Sequence, residues 1–473
     1  MGAPEPDMLE GFPPARLIPA TKTGVKEQEQ RATSALLAVM SIVPSFGHAV
    51  LRYLHAPKGS ITSFVEPHFE SDTGGTDIPD GLVLVRRGKT NWTCLVEVKT
   101  GKSELEADQI DRYLRIANRE DYDGLLTISN EIVADPNESP VKIDRRRINK
   151  DFKLVHLSWF RIMTEAVQEY QHHGVEDPEQ AWILNELIEY LDDERSGAGG
   201  FDGMPKSWAK IRNAAQQGTL RANDLGVEEV AESWAEFVEY MALRLRQNLG
   251  RSVTPVYPRD STRQDRLGEV RRSLGEDTDL EAIIKVPDAV APIHVRADLR
   301  SQQVTTQVRV PAPTEGRAKT RINWMLRQLK DAPSDVRITV TYPRTRKTTS
   351  LMVEDARARP EALLFPEDNH REPKAFDIAI AKKMGMKQGR TRGSFVREIM
   401  DQILTFYGEV VQELHKWTPP PPKLTEEPPE DVEEMPPEEA NEQPDATTVL
   451  APTEKREERP WSQPAPASDT LQP

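Results

Sequence analysis

Residues 78–113 constrain the fold more than any other part of the chain. They read Ile78-Pro79-Asp80-Gly81, an apolar run, a turn over 87–91, a second apolar run ending Leu95-Val96-Glu97-Val98-Lys99, and a helix-forming segment with Gln109 and Tyr113. Two β-forming runs joined by a short Gly-containing link predict a hairpin over 81–86 and 92–99. Side chains alternate faces along a strand. Glu97 and Lys99 therefore share one face, while Val96 and Val98 enter the core. Asp80 opens the first strand of the pair. Two carboxylates and an ammonium converging at a sheet edge can hold a divalent metal and activate a water, which is the chemistry of phosphodiester cleavage.

The flanking pattern places this hairpin in an α/β domain. Ala32, Ala35, Leu36, Met40 and Val43 recur at three- and four-residue spacing and predict a helix over 26–43. Pro44 interrupts it before a second helical piece with Val50, Leu51 and Leu54. A strand over 63–69 precedes the hairpin, a helix over 105–119 follows it, and strands over 123–129 and 153–157 lead to a helix over 159–170. The order αβββαβ–βα implies a mixed sheet flanked by helices. Asp177 and Pro178 form a cap and first turn for one more helix. The glycine-rich run 196–200 reads as a flexible break.

Four segments follow from this reading: a flexible N-terminus over 1–25, the α/β domain over 26–195, an α+β domain over 205–417, and an acidic, Pro-rich tail over 418–473. In the third, Trp208, Ile211 and Ala215 form one helical stripe, and Val230, Trp234, Phe237, Met241 and Leu245 form another. Strands over 291–299, 303–310 and 336–342 surround a helix over 321–329, and a last helix runs over 394–417. Trp182, Trp208, Trp234 and Trp324 stand among apolar residues and are expected in the core. The tail is too poor in apolar residues to fold and reads as a disordered spacer or interaction segment.

The net charge of −15 argues against a nucleic-acid binder only if it is spread evenly. From Thr418 to Pro473 there are 14 acidic and 4 basic residues, a net of −10, so the first 417 residues carry −5. Basic clusters at 145–147, 296–317, 344–347 and 382–397 lie in that part, and DNA contact depends on local patches. The single cysteine, Cys94, excludes an internal disulfide and a four-cysteine cluster, and its place in an apolar strand reads as plain burial. His68 reads as a surface or satisfied histidine. No window approaches 18 consecutive apolar residues, so no membrane span is expected, and the first residues lack a secretory pattern. A bacterial or archaeal cytoplasmic location is the resulting expectation.

Pro79-Asp80 followed by Glu97-Val98-Lys99 resembles the signature of the PD-(D/E)xK nuclease superfamily, and Gln109 to Tyr113 resembles the QxxxY element of its RecB-like branch. The resemblance covers roughly residues 27–170. It implies a restriction-endonuclease-like fold and a Mg2+- or Mn2+-dependent deoxyribonuclease, a hydrolase acting in restriction, phage (antiviral) defence or repair. Asp80 and Glu97 would be metal ligands, with the backbone carbonyl of Val98 as a further one. Lys99 would position the attacking water or stabilise the charged phosphorus centre; acting as a base would need a pKa far below about 10.4.

The family often adds an acid on the first helix. Glu29 is the first choice, ahead of Glu27, with Glu70 as a rival. Gln109 and Tyr113 share a helical face and would brace the metal-site side chains or contact DNA backbone. DNA is the expected partner, and residues 205–417 or the acidic tail would engage a protein partner. A homodimer would supply both cuts of a duplex. No phosphate-binding loop sequence is present, so ATP-driven movement would have to come from another chain. Two other readings remain open: a non-catalytic regulatory or interaction protein on a nuclease scaffold, and an RNA nuclease.

Overall fold

The computed structural model describes residues 27–419 except 72–73, 145–148, 150 and 388, together with residues 17 and 421. The expected flexible segment 1–25, the basic cluster 145–147 and nearly all of the tail 418–473 lie outside the described residues. The described residues up to Pro419 pack as one compact α/β unit.

Its first half comprises α1 (Glu27–Ile42), α2 (Pro44–Leu51), β1 (Ser60–Val65), β2 (Phe69–Glu70), β3 (Thr76–Asp77), β4 (Gly81–Arg87), β5 (Thr90–Val98), α3 (Ala107–Arg119), β6 (Gly124–Ser129), β7 (Lys153–Ser158), α4 (Trp159–Val167) and α5 (Pro178–Asp192). One mixed sheet runs β1-β4-β5-β6-β7. The β1, β4 and β5 pairings are antiparallel, and β5, β6 and β7 run parallel. Helices cover both faces. Leu36, Met40, Val96, Val98 and Trp159 share one apolar cluster. Leu82, Leu95, Ile110, Tyr113 and Leu114 share another on the opposite face. Burial on both sides explains why the hairpin reads as nearly continuous apolar runs rather than a strict alternation. The strand expected over 63–69 begins earlier and splits in two.

The second half comprises α6 (Trp208–Gln216), α7 (Val227–Leu249), β8 (Thr254–Pro255), α8 (Arg263–Glu276), β9 (Asp279–Lys285), β10 (Ile293–Asp298), β11 (Gln303–Pro311), α9 (Ala318–Gln328), β12 (Val336–Thr341), β13 (Thr348–Met352), α10 (Val353–Ala358), β14 (Ala375–Lys383) and α11 (Phe395–Glu409). Its strands form an antiparallel sheet in the order β13-β12-β14-β11-β10-β9-β8. Apolar residues alternate toward the helices, as in Val304, Val308 and Val310 of β11. Trp208 and Trp234 are fully buried in this core, where both rings meet Phe395.

The break expected over 196–200 is pinned instead. Asn130 Nδ2 donates to the carbonyls of Gly101 and Gly197, each at 2.9 Å, while its Oδ1 accepts from Gly199 N. One amide side chain thus satisfies the backbone of both loops. Phe201 then stacks on Phe237 of α7, with ring centroids 5.1 Å apart. Helix α7 also reaches the first half: Tyr240 meets Phe160 at 4.5 Å, and Leu243 is buried in the first core.

Trp182 corrects another expectation, since it is 62% exposed. Leu184, Leu187 and Leu191 form the buried stripe of α5, and Trp182 stands two residues, or about 200° of turn, from Leu184. Among the described residues, no single helix is long and apolar enough to cross a membrane. The pair α1 and α2 passes on composition only when joined across a 112° bend.

Candidate active site at the end of β5

The hairpin register builds this site. Gly81 pairs with Val96, so Asp80 falls opposite Glu97. Gly81 also lets α1 approach closely: a Cβ there would sit 2.4 Å from Leu37 Cδ1. The N–H of Val98 donates to Asp80 Oδ2 at 2.8 Å, fixing the aspartate against the neighbouring strand. The Asp80 and Glu97 carboxyl groups lie within hydrogen-bonding reach of each other.

Glu97 has no solvent exposure. Its Oε1 accepts from Lys99 Nζ at 2.5 Å, while its Oε2 is buried with no hydrogen-bond partner. Lys99 Nζ also lies 3.7 Å from Glu29 Oε1. The site keeps an opening at this corner, where the Lys99 and Glu29 side chains are 13% and 18% exposed. From α3, Gln109 Nε2 donates to Tyr113 Oη at 3.0 Å, and Tyr113 Oη donates to the carbonyl of Ile78 at 3.1 Å. Tyr113 therefore braces the segment that delivers Asp80.

Burial, then the charge of Glu97, holds the Asp80 carboxyl well above the usual carboxylate range. Burial also raises Glu97, although the charge and hydrogen bond of Lys99 act the other way. Desolvation works to lower the Lys99 pKa, but Glu97 and Asp80 outweigh it and the net shift is upward. Lys99 is thus a cation at neutral pH, which suits electrostatic work rather than proton abstraction. The Tyr113 hydroxyl is raised by burial and by Glu97 and stays protonated.

Asp80, Glu97, Lys99 and Glu29 therefore meet, with Tyr113 against Glu97 and Gln109 behind it. Glu29 reaches Lys99 rather than completing a third acidic corner. Among the described residues, no group of three or more His, Cys, Asp or Glu side chains is placed to hold a metal ion. Glu27 pairs with Arg31, and Glu70 is exposed on β2, so neither joins the site. The Val98 side chain packs in the core, while its backbone N–H serves Asp80. His68 is exposed and Cys94 is buried, as expected. Several cations of the basic clusters are paired with acids: Arg296 with Asp279, Arg309 with Asp377, Lys347 with Glu367, and Arg390 with Asp202.

Trp159 was not singled out as a site residue from the sequence. Its indole Nε1 donates to the Lys99 carbonyl at 2.9 Å, while Lys99 N donates to the Ile128 carbonyl at 2.7 Å. A tryptophan directly after the last strand of the sheet was the available signal. Trp159→Phe is expected to lower stability by about 1 kcal/mol through the orphaned carbonyl, read by urea unfolding. No protein-family model, curated protein or solved structure matches the chain.

Proposed function

We propose that this chain is a metal-dependent nuclease of the PD-(D/E)xK type that hydrolyses DNA phosphodiester bonds. The observation that carries the reading is the buried, partnerless Oε2 of Glu97 beside Asp80. Two adjoining carboxyl groups that resist ionising together, one with an unsatisfied oxygen, suit a hard divalent cation. Asp80 and Glu97 would hold Mg2+ or Mn2+, with the Val98 carbonyl as a further oxygen donor. Bound there, the cation lowers the pKa of a water and offsets charge on the phosphate.

The remaining roles belong to the chain's own residues. The Lys99 ammonium stabilises negative charge building on the phosphate oxygens. Glu29 and Glu97 hold that ammonium in place. Tyr113 and Gln109 keep the Ile78–Asp80 segment in register with β5. The sheet order, with α1 and α3 on opposite faces, suits the restriction-endonuclease-like arrangement.

The test incubates the full chain with linear, nicked-circular and single-stranded DNA, and with RNA, in Mg2+ or Mn2+, beside Glu97→Ala and Lys99→Ala. Cleavage of DNA by the wild type, reduced about 10²- to 10³-fold in Lys99→Ala and abolished in Glu97→Ala, supports the proposal. Equal products from all three proteins would overturn it, and cutting confined to RNA would reassign the substrate.

A further inference from the structure

We propose that a second cavity, walled by Arg52, Arg161 and Arg246, binds a small phosphomonoester with an organic body. The cavity has a volume of about 630 Å³ and is lined by none of the residues placed at the end of β5. Its walls come from both halves of the unit: Arg52 and Tyr53 follow α2, Arg161 lies on α4, and Arg246 lies on α7, with the 250–257 segment completing it. This size is within the range of small-ligand sites and well above what a bare phosphate fills.

The lining favours an anion. Three arginines line the space and Glu239 is the one acid among the lining residues. Behind the wall, the buried Glu165 accepts from Arg52 Nη2 at 2.7 Å and from Tyr53 Oη at 2.6 Å, and forms an ion pair with Arg246 Nη2 at 3.0 Å. One carboxylate serves two guanidinium groups here, and the charge of Glu169 also acts on Arg52. Arg161 Nη2 stands 3.6 Å from Glu239 Oε2, and Glu239 Oε1 accepts from Tyr257 Oη at 2.9 Å. Burial pushes Glu239 up to about 7, which weakens the counter-charge that Arg161 has. The three arginines and the three carboxylates therefore balance with Glu239 ionised and leave one positive charge with it protonated, in a chain whose net charge is −15.

A second, independent observation concerns Arg246. Its Nε is buried and has no hydrogen-bond partner. An orphaned guanidinium N–H is costly unless an acceptor arrives. Planar guanidinium forks match phosphate oxygens two at a time, and for the mostly buried Arg161 and Arg246 dehydration has largely been met in folding. Arg52, 47% exposed, marks the mouth.

The experiment titrates the full chain by calorimetry with inorganic phosphate, glucose 6-phosphate, AMP and adenosine. Saturable binding of at least one phosphomonoester is expected with a Kd below about 1 mM, without adenosine binding. Arg161→Gln and Arg246→Gln should weaken it about tenfold or more, while Glu97→Ala binds like the wild type. Should either arginine variant unfold, hydrogen exchange on the wild type decides: the ligand must slow exchange at 250–257. Absence of binding by every phosphorylated probe, equal binding of adenosine and AMP, or loss of binding in Glu97→Ala would each overturn the assignment.

Discussion

Asp80→Asn is expected to abolish DNA cleavage and, at pH 8, to unfold at a higher temperature than the wild type. In the wild type the buried Asp80 carboxyl faces Glu97, and burial and that like charge both oppose its ionisation. An amide keeps an oxygen for the Val98 N–H and offers Glu97 a donor. Active sites commonly sacrifice stability in this way, and relieving the conflict contributes about 1–2 kcal/mol. The sign follows from linkage. The folded state binds this proton more tightly than the unfolded chain, whose aspartates titrate near about 3.9. The penalty is absent below that pH, grows as pH rises toward the folded-state pKa, and is complete above it. Calorimetry should therefore find little difference near pH 3.5 and a higher Tm for the variant at pH 8. Mg2+ should raise the Tm of the wild type and leave the variant unchanged. A variant less stable than the wild type at both pH values would remove the argument that these two carboxyl groups conflict.

Glu165→Ala is expected to be the most damaging single change outside the site, costing about 3–5 kcal/mol. Glu165 is 1% exposed and receives Arg52, Arg246 and Tyr53 together. Removing one partner from a buried charge network strands the others without compensation. Arg52 and Tyr53 come from the turn after α2, Arg246 from α7 and Glu165 itself from α4, so the loss loosens the junction of α2, α4 and α7 rather than one helix. Urea unfolding measures it directly. Glu165→Gln, which keeps one acceptor, should recover part of the loss. A cost below about 1 kcal/mol for the alanine variant would show that these arginines are held by water instead.

The site was the most legible part of the sequence because its elements obey local rules. The apolar runs of β4 and β5, the Gly88 turn, and the one-turn spacing of Gln109 and Tyr113 each depend on near neighbours. Capping of α5 by Asp177, which accepts from Glu179 N and Gln180 N, is local in the same way. What escaped was set at long range. Helix α8 buries only Leu267 and Leu274, so no apolar stripe announced it. Strand β14 carries the basic residues Lys382 and Lys383 at its exposed end, and it read as a charge cluster although Phe376, Ile378 and Ile380 are core. The seven-stranded order, with β14 between β11 and β12, pairs residues 64 to 80 positions apart with β11 and 34 to 44 apart with β12, and left no sequence signal. Glu29 could be chosen over Glu27 from its helical face, but its contact with Lys99 required the tertiary packing of α1.

Helix α7 contributes Trp234 and Phe237 to one core and Leu243 to the other. A chimera that joined the first 204 residues to a foreign partner module would leave an oily socket beside Phe160 with nothing to fill it. Such a hybrid would clump rather than stay dispersed, and so would the severed remainder. Exchange of surface loops in this chain is therefore expected to be tolerated where exchange of a whole half is not.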